Sequence, residues 1–268
     1  MVSRSYRMTA DNGNAPCAFD NFQQIVEINQ KNVDDFDNDL LTLSTCGSKL
    51  RHLMSEGEWV FGIAANKFGK KANKLIWVGK VDRKTTKGEY FRERNSNLKY
   101  DKKSRPDNYY AYRNDVEDDE NILDFAKGKD TQGLKDYAIF DNPYHGIDDK
   151  ERDLYNRNFS NVNRAITLWF DEWWYFGKNA IEIKEELRAK SVEAKKLDEK
   201  EVDNFINTLR SEYPKKGIYG APMSIDMGAS IGCKEKSVST SCDGSRSVSS
   251  FNGGSWREYL EWWYKNKL

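Results

Sequence analysis

Cysteine and histidine are scarce in this chain of 268 residues, and net charge is absent. The four cysteines, at 17, 46, 233 and 242, form no C-x-x-C pair, and His52 and His145 are the sole histidines. That excludes the usual structural zinc spacings, so no metal site is expected. Without a paired-cysteine framework the thiols are expected to be reduced, as in a cytoplasm. Lys and Arg total 43 and Asp and Glu total 43. A protein held on DNA mainly by its overall charge is therefore excluded, although local patches are not. No apolar run approaches the ~18 residues of a membrane span. The opening residues MVSRSYRMTADNG contain no apolar segment of the secretory kind, so no signal peptide is expected. The G-x-x-x-x-G-K-[ST] spacing of a P-loop is missing, and nothing in the sequence asks for a cofactor.

Aromatic residues are what the chain has in plenty: 13% of the total, with eight Trp. Most must pack a core, since each ring carries a large apolar area. The clearest element is GEWVFGIAANKFGKKANKLIWVGKV, residues 57–81. It reads as two apolar strands joined by a Gly/Asn/Lys turn. Trp59, Phe61 and Ile63 share one face of the first strand, and Val60, Gly62 and Ala64 the other. Leu75, Trp77 and Val81 alternate with Ile76 and Val78 in the second. Apolar residues on both faces suit a strand covered on both sides. Gly62 and Gly79 remove side chains mid-strand, which permits a bulge or a close approach.

Elsewhere the pattern is weaker. Residues 5–9 and 40–45 lean toward strand, separated by the turn signal Asp11-Asn12-Gly13-Asn14. Phe22, Ile25 and Val26 fit one face of a short helix ending near Gln30. Residues 83–135 read as polar and irregular. Residues 137–140 and 165–170 are strand candidates, and Trp173-Trp174-Tyr175-Phe176 follows the second. Residues 184–213 read as helical, with Val202, Phe205, Ile206, Leu209 and Tyr213 as the apolar stripe and Asp198 with Glu201 as a cap. A Ser/Gly-rich loop is expected over 228–255, and a last helix at 255–263 with Trp256, Tyr259, Leu260 and Trp263 on one face. These elements suggest a domain over 1–183 and a helical extension over 184–268 packed on it. The final helix is the candidate surface for a protein partner.

Three groups of residues have chemical potential. Thr42, Ser44, Thr45, Lys49 and Arg51 bring hydroxyls and cations together around Gly47, a set able to hold a phosphate or a polar base edge. His145 with Arg152 and Asp153 offers an acid–base pair, and Cys46 a nucleophile that His145 and Asp153 would serve. Trp59, Trp77, Tyr109, Tyr110, Tyr112 and the run from Trp173 to Phe176 offer faces on which a nucleobase stacks. Lys67, Lys70, Lys71 and Lys74 crowd the hairpin turn, and a solvated face is the first account of such a run.

In order along the chain, short motifs resemble the nucleotide modification-associated domain 2 family. Tyr6 with Asp11-x-Gly13-x-Ala15-Pro16 is similar to its D-x-G-x-A-P opening. Thr42-Leu43-x-Thr45-Cys46-x-x-Lys49-x-Arg51 resembles T-L-x-x-C-x-P-K-I-R, with Ser48 in place of the proline. Gly57-Glu58-Trp59-Val60-x-Gly62 matches G-D-W-I-x-G, and residues 75–81 sit where the family reads L-V-Y-A-M-K-V. Asp107-Asn108-Tyr109-Tyr110 resembles G-D-x-I-Y. His145 with Arg152-Asp153-Leu154 keeps an H-x6-R-D-L spacing. Trp174-Tyr175-Phe176-Gly177-x-x-Ala180 and residues 217–222 resemble F-Y-Y-F-G-x-x-A and K-I-Y-A-D-P. The likeness spans residues 6–222, with residues 20–39 standing as an insertion of about twenty and Cys17-Ala18 replacing a second N-P.

The resemblance implies an association with modified bases in DNA, in a bacterial or phage-infected cell. The hairpin also looks like that of PUA-like folds, which include the EVE and YTH modified-base readers. The expected fold is α+β: a PUA-like, mostly antiparallel barrel or curved sheet with packed helices. The expected function is recognition of a modified nucleobase or nucleotide, in DNA or free. Trp59, Tyr110 and Trp174 are the expected stacking faces. Asp11, Asn12, Thr45 and Asp107 would bond the base edge, and Lys49, Arg51 and Arg152 the phosphates. An enzyme using His145, Asp153 and Cys46 is the alternative, and an accessory interaction module the third reading.

Overall fold

A computed structural model describes residues 2–28, 33, 36, 38–95, 97–99, 104–116, 122–123, 137–140, 165–191 and 193–223. In chain order the strands and helices are β1 (Arg4–Met8), α1 (Phe22–Glu27), β2 (Leu41–Leu43), α2 (Ser48–Leu53), β3 (Trp59–Ala64) and β4 (Leu75–Thr86). Then come α3 (Lys87–Arg94), β5 (Tyr110–Tyr112), β6 (Ile122–Leu123), β7 (Tyr137–Phe140), β8 (Ile166–Tyr175), β9 (Lys195–Lys196), α4 (Glu199–Glu212) and β10 (Gly217–Ile218).

Seven strands make one sheet in the order β10-β8-β4-β3-β1-β9, with β2 also on β8, and β5-β7-β6 make a second. Pairing is mostly antiparallel, but β1 runs parallel to β3 and β10 parallel to β8. The fold is thus α+β with a mixed sheet. The sheet is open among the described residues, because the path ends at β9 and β10 and no ladder joins them. Of the expected barrel or curved sheet, a closed barrel is not formed among the described residues.

The hairpin itself is as the alternation dictates. Phe61 faces Val78, which faces Trp174, and Gly62 faces Trp77, which faces Tyr175. Gly62 is required there: a Cβ would lie 2.0 Å from Trp77 Nε1 and 2.6 Å from Met8 Sδ. The indole therefore lies across the glycine toward β1. The ladder between β4 and β8 is irregular around Val81, and Asp82 and Asp171 fall outside the register. Such a bulge re-aims the side chains beyond it. It returns Phe170, Trp173 and Tyr175 to one face despite their uneven spacing, and all three are buried there.

The two faces differ in cover. One is covered by α4, whose Val202, Ile206 and Leu209 pack with Trp59, Phe61, Val78 and Trp174. The other carries Met8, Trp77, Phe170, Trp173 and Tyr175, under α1 (Ile25), Leu41, Leu43 and the β5–β7 sheet. Two expected stretches come out differently. Residues 83–86 continue β4, and a T-x-x-E capping box from Thr86 to Glu89 starts α3 where irregular chain was expected. Of residues 184–213, only α4 is α-helical. A short 3-10 turn (Glu185–Leu187) and the edge strand β9 take up the earlier part. The loop 228–255 and the helix at 255–263 lie outside the described residues.

Candidate functional site

Three loops meet beside the sheet: 9–17 after β1, 44–47 after β2, and 104–109 before β5. In the first, Gly13 takes a positive φ of 81° and the Ala15–Pro16 bond is cis. The loop is stitched to β2 by Cys17 and Thr42, whose N–H groups donate to each other's carbonyls at 2.9 and 3.0 Å. In the second, Cys46 and Gly47 are both left-handed, with φ of 56° and 57°. Arg51, one turn into α2, fastens this strained corner. Its Nε donates to Cys46 O at 2.8 Å, and its Nη1 donates to Ile166 O.

The third loop is built around Arg105 and Asp107. Arg105 is buried and donates to Tyr90 Oη (3.0 Å), Asp20 Oδ1 (2.8 Å) and the carbonyls of Cys17 (2.7 Å) and Leu40 (3.2 Å). Asp107 accepts from Thr42 Oγ1 at 2.6 Å and Tyr90 Oη at 2.7 Å. Burial alone would lower the Arg105 pKa. The surrounding groups outweigh it and raise the pKa overall, with Asp107 and Asp20 supplying the negative charge that faces the guanidinium. Burial, with Asp107 adding to it, raises the Cys17 thiol far above its ordinary range, so this sulfur stays protonated. A satisfied network of this kind fixes how the three loops sit against one another.

Each loop then carries at least one buried side chain with hydrogen-bonding atoms that have no hydrogen-bond partner among the described residues. Among these are Asn14 (both amide atoms), Thr45 Oγ1 and Asn108 (both amide atoms). Leaving a buried polar group unsatisfied costs ~1–3 kcal/mol, and native folds do so rarely. Asn14 and Thr45 are fully buried and Asn108 is 1% exposed.

Asp11 and Tyr6 complete this side. Tyr175 Oη donates to Asp11 Oδ1 at 2.5 Å and the Met223 N–H donates to Oδ2 at 3.0 Å. Burial nevertheless raises the Asp11 carboxyl to about 6, against the opposing pull of Tyr175, Met223 and the Lys178 cation. Trp77 Nε1 lies 3.3 Å from the Tyr6 hydroxyl and donates to it. Burial raises the Tyr6 phenol; the Trp77 bond opposes this, while Cys46 and Asp11 add to it. Asp11 and Cys46, from different loops, are thus both within electrostatic reach of one hydroxyl.

The residues singled out in the sequence divide clearly. Asp11, Asn12, Thr45 and Cys46 come together on this side, and Asp107 is tied to them through Thr42 and Cys17. Cys46 is exposed. Lys49 is exposed on α2, 4.0 Å from Glu193. Arg51 is buried, with main-chain carbonyls among its partners. Tyr110 is buried with the Lys87 ammonium over its ring at 4.0 Å. Trp59 and Trp174 are not brought to these loops: they stack on each other at 6.2 Å under α4, on the opposite face of the sheet. His145, Arg152 and Asp153 lie outside the described residues. Asn14, Asn108 and Arg105 were not among the expected site residues, although Arg105 stands in a basic run. Each sits within or next to a motif, but nothing in the sequence marks an amide as buried and unpaired.

Among the described residues no group of three or more His, Cys, Asp or Glu could hold a metal ion, and no helix is long and apolar enough to cross a membrane. No curated protein and no solved structure matches this chain. A family model described as nucleotide modification associated domain 2 matches residues 20–229. The match begins after Tyr6 and the D-x-G-x-A-P loop, and it takes in β2, the hairpin, the 104–109 loop and β8. Covering well over half of the chain, it shows that this protein belongs to the nucleotide modification associated domain 2 family.

Proposed function

We propose that this protein is a reader of a modified nucleobase or nucleotide, acting within a base-modification or phage-defence system. The observation that carries this reading is the set of unpartnered buried groups on three loops, Asn14, Thr45 and Asn108. Amide and hydroxyl groups supply both donors and acceptors, the complement of a base edge. A base that met them would turn a desolvation cost into hydrogen bonds, and a base lacking the right edge would leave them unpaired. Asp11, held at about 6, is able to present either a carboxylate or a carboxylic acid near neutral pH. Tyr6, half-buried beside it, is the ring of this side best placed to stack, a contact worth ~1–3 kcal/mol per base. Lys49 is the exposed cation of the T-L-x-T-C element for a phosphate.

The open sheet is compatible with a PUA-like half-barrel. Residues 1–183 and the α4 segment form one unit in this reading.

The test is binding of a panel of plain and modified nucleosides and nucleotides, followed by calorimetry. Saturable binding of one modified member is expected, reduced at least tenfold by Thr45→Val or Asn14→Ala. Equal binding of that member by wild type and both variants would remove these loops from the site.

A further inference from the structure

We infer that the β3–β4 turn is a contact surface for the phosphate backbone of duplex DNA, so that the base is presented to the reader within DNA. The inference rests on the reader function and adds its partner. Lys67, Lys70 and Lys71 lie in the 3-10 segment Asn66–Lys71, and none forms an ion pair among the described residues. Lys67 and Lys70 are exposed, and Lys71 is partly so.

The turn is a fixed platform. Phe68 is buried and anchors it in the core, while Gly69 adopts a left-handed φ of 56°. Arg7 clasps both ends of the turn, donating to Asn66 Oδ1 at 2.8 Å and Asn73 Oδ1 at 2.5 Å, and its Nε donates to Ala189 O at 2.9 Å. The nearby acid Glu182 is engaged by Lys74 at 2.6 Å and lies 4.0 Å from Arg188. The three lysines therefore project from ordered backbone with their charge uncompensated.

The position matters as much as the charge. Because β1 and β3 are parallel, both chains leave the sheet at the same end. The Ala65 N–H donates to Met8 O at 3.0 Å, three residues before Asp11. Leu75 pairs with Ile181, which brings the segment after β8 to that end. This segment includes Lys178, a further cation whose charge reaches Asp11. The cationic turn thus flanks the loop that bears Asp11 and Asn14. With a net charge of zero, DNA affinity has to come from such a local patch.

The experiment measures binding of a short, unmodified fluorescein-labelled duplex by anisotropy across a salt series. It compares wild type, the triple variant Lys67→Ala/Lys70→Ala/Lys71→Ala, and a charge-matched control, Lys200→Ala/Lys215→Ala/Lys216→Ala, within and just after α4. Each phosphate contact contributes about 0.9 to the slope of log affinity against log salt. The turn variant is expected to lose about 2–3 from that slope and more than tenfold in affinity at low salt. The control should match wild type. Mononucleoside binding and melting temperature should be unchanged in both. Absence of duplex binding by wild type, an unchanged slope in the turn variant, or an equal loss in the control would each overturn the inference. Failure of wild type to bind any nucleoside would instead sink the reader function, a separate reading of the same samples.

Discussion

The Asp11 carboxyl is held at about 6, up from its ordinary 3.8, because burial disfavours the anion more than Tyr175, Met223 and Lys178 favour it. The folded state then binds a proton that the unfolded state releases between those two values. Stability from this group is fully present below about pH 4, falls as pH rises toward 6, and is flat above it. A rise of roughly two units corresponds to about 3 kcal/mol. Asp11→Asn removes the titration. Urea midpoints of variant and wild type should therefore converge or cross in favour of the variant between about pH 4 and about pH 7, and parallel curves would refute the assignment. Thr45 and Asn14 behave in the opposite way to ordinary buried polar residues. Since their polar atoms have no partner, Thr45→Val should leave stability unchanged or raise it by up to about 1 kcal/mol while abolishing base binding. A clear loss of stability would mean that the hydroxyl is structurally bonded. Asp11, Thr45 and Asp107 stand out in the sequence through the family-like motifs, and the structure places them on the 9–17, 44–47 and 104–109 loops. That Arg51 would turn inward to main-chain carbonyls was not legible, because it depends on Cys46 adopting a left-handed backbone.

Elements with strong period-two patterning were legible to within a residue or two: β3 and the first half of β4. Of β8, the expected 165–170 covers only the first half, because the strand runs on through the bulge to Tyr175. The second half of β4 was not legible, because Asp82, Arg83 and Lys84 interrupt the apolar alternation where the strand passes the bulge. There the sheet is held by ladder bonds, and Arg83 pairs with Glu93 at 2.5 Å and stacks on Trp169 at 3.8 Å. The residues from 184 to 198 are rich in Lys, Glu and Ala and so look helical, but pairing of β9 with β1 overrides propensity there. The signal for α3 is the T-x-x-E box at Thr86 and Glu89, and no apolar stripe follows it. Thr86 accepts from the Glu89 N–H at 3.1 Å, so Thr86→Ala should cost about 1 kcal/mol in thermal or chemical melts. Gly62 tests the packing of β3 on β4 directly. A methyl group at 2.0 Å from Trp77 Nε1 cannot be accommodated without moving that ring off Tyr6 and Met8. Gly62→Ala should cost at least about 1–3 kcal/mol and alter the near-ultraviolet circular dichroism of the tryptophans. A native spectrum would show that the indole has room to move.

At the scale of the molecule the sheet divides labour between its faces. The α4 face is closed: Trp59 and Trp174 stack on each other, Phe61 meets Phe205 at 5.9 Å, and Trp174 Nε1 donates to Tyr213 O at 2.9 Å. The other face receives the loops with unpaired groups and lies at the end of the sheet where the cationic turn projects. The sequence could not assign faces, since both sides of the hairpin are apolar and the bulge at Asp171 reverses the alternation between Phe170 and Trp173. The consequence is a separation of stability from binding. Trp174→Phe removes the hydrogen bond to Tyr213 and part of a buried ring, and should lower stability by about 1–3 kcal/mol. It touches nothing on the loop side, so the affinity for the modified base should stay within about twofold at a temperature where the variant is folded. Tyr6→Ala should also lower stability, through its lost contact with Trp77, but it should lose far more affinity than Trp174→Phe at a temperature where both are folded. If Trp174→Phe weakened binding as much as Tyr6→Ala did, the base would have to sit on the α4 face, and the three-loop site would be wrong.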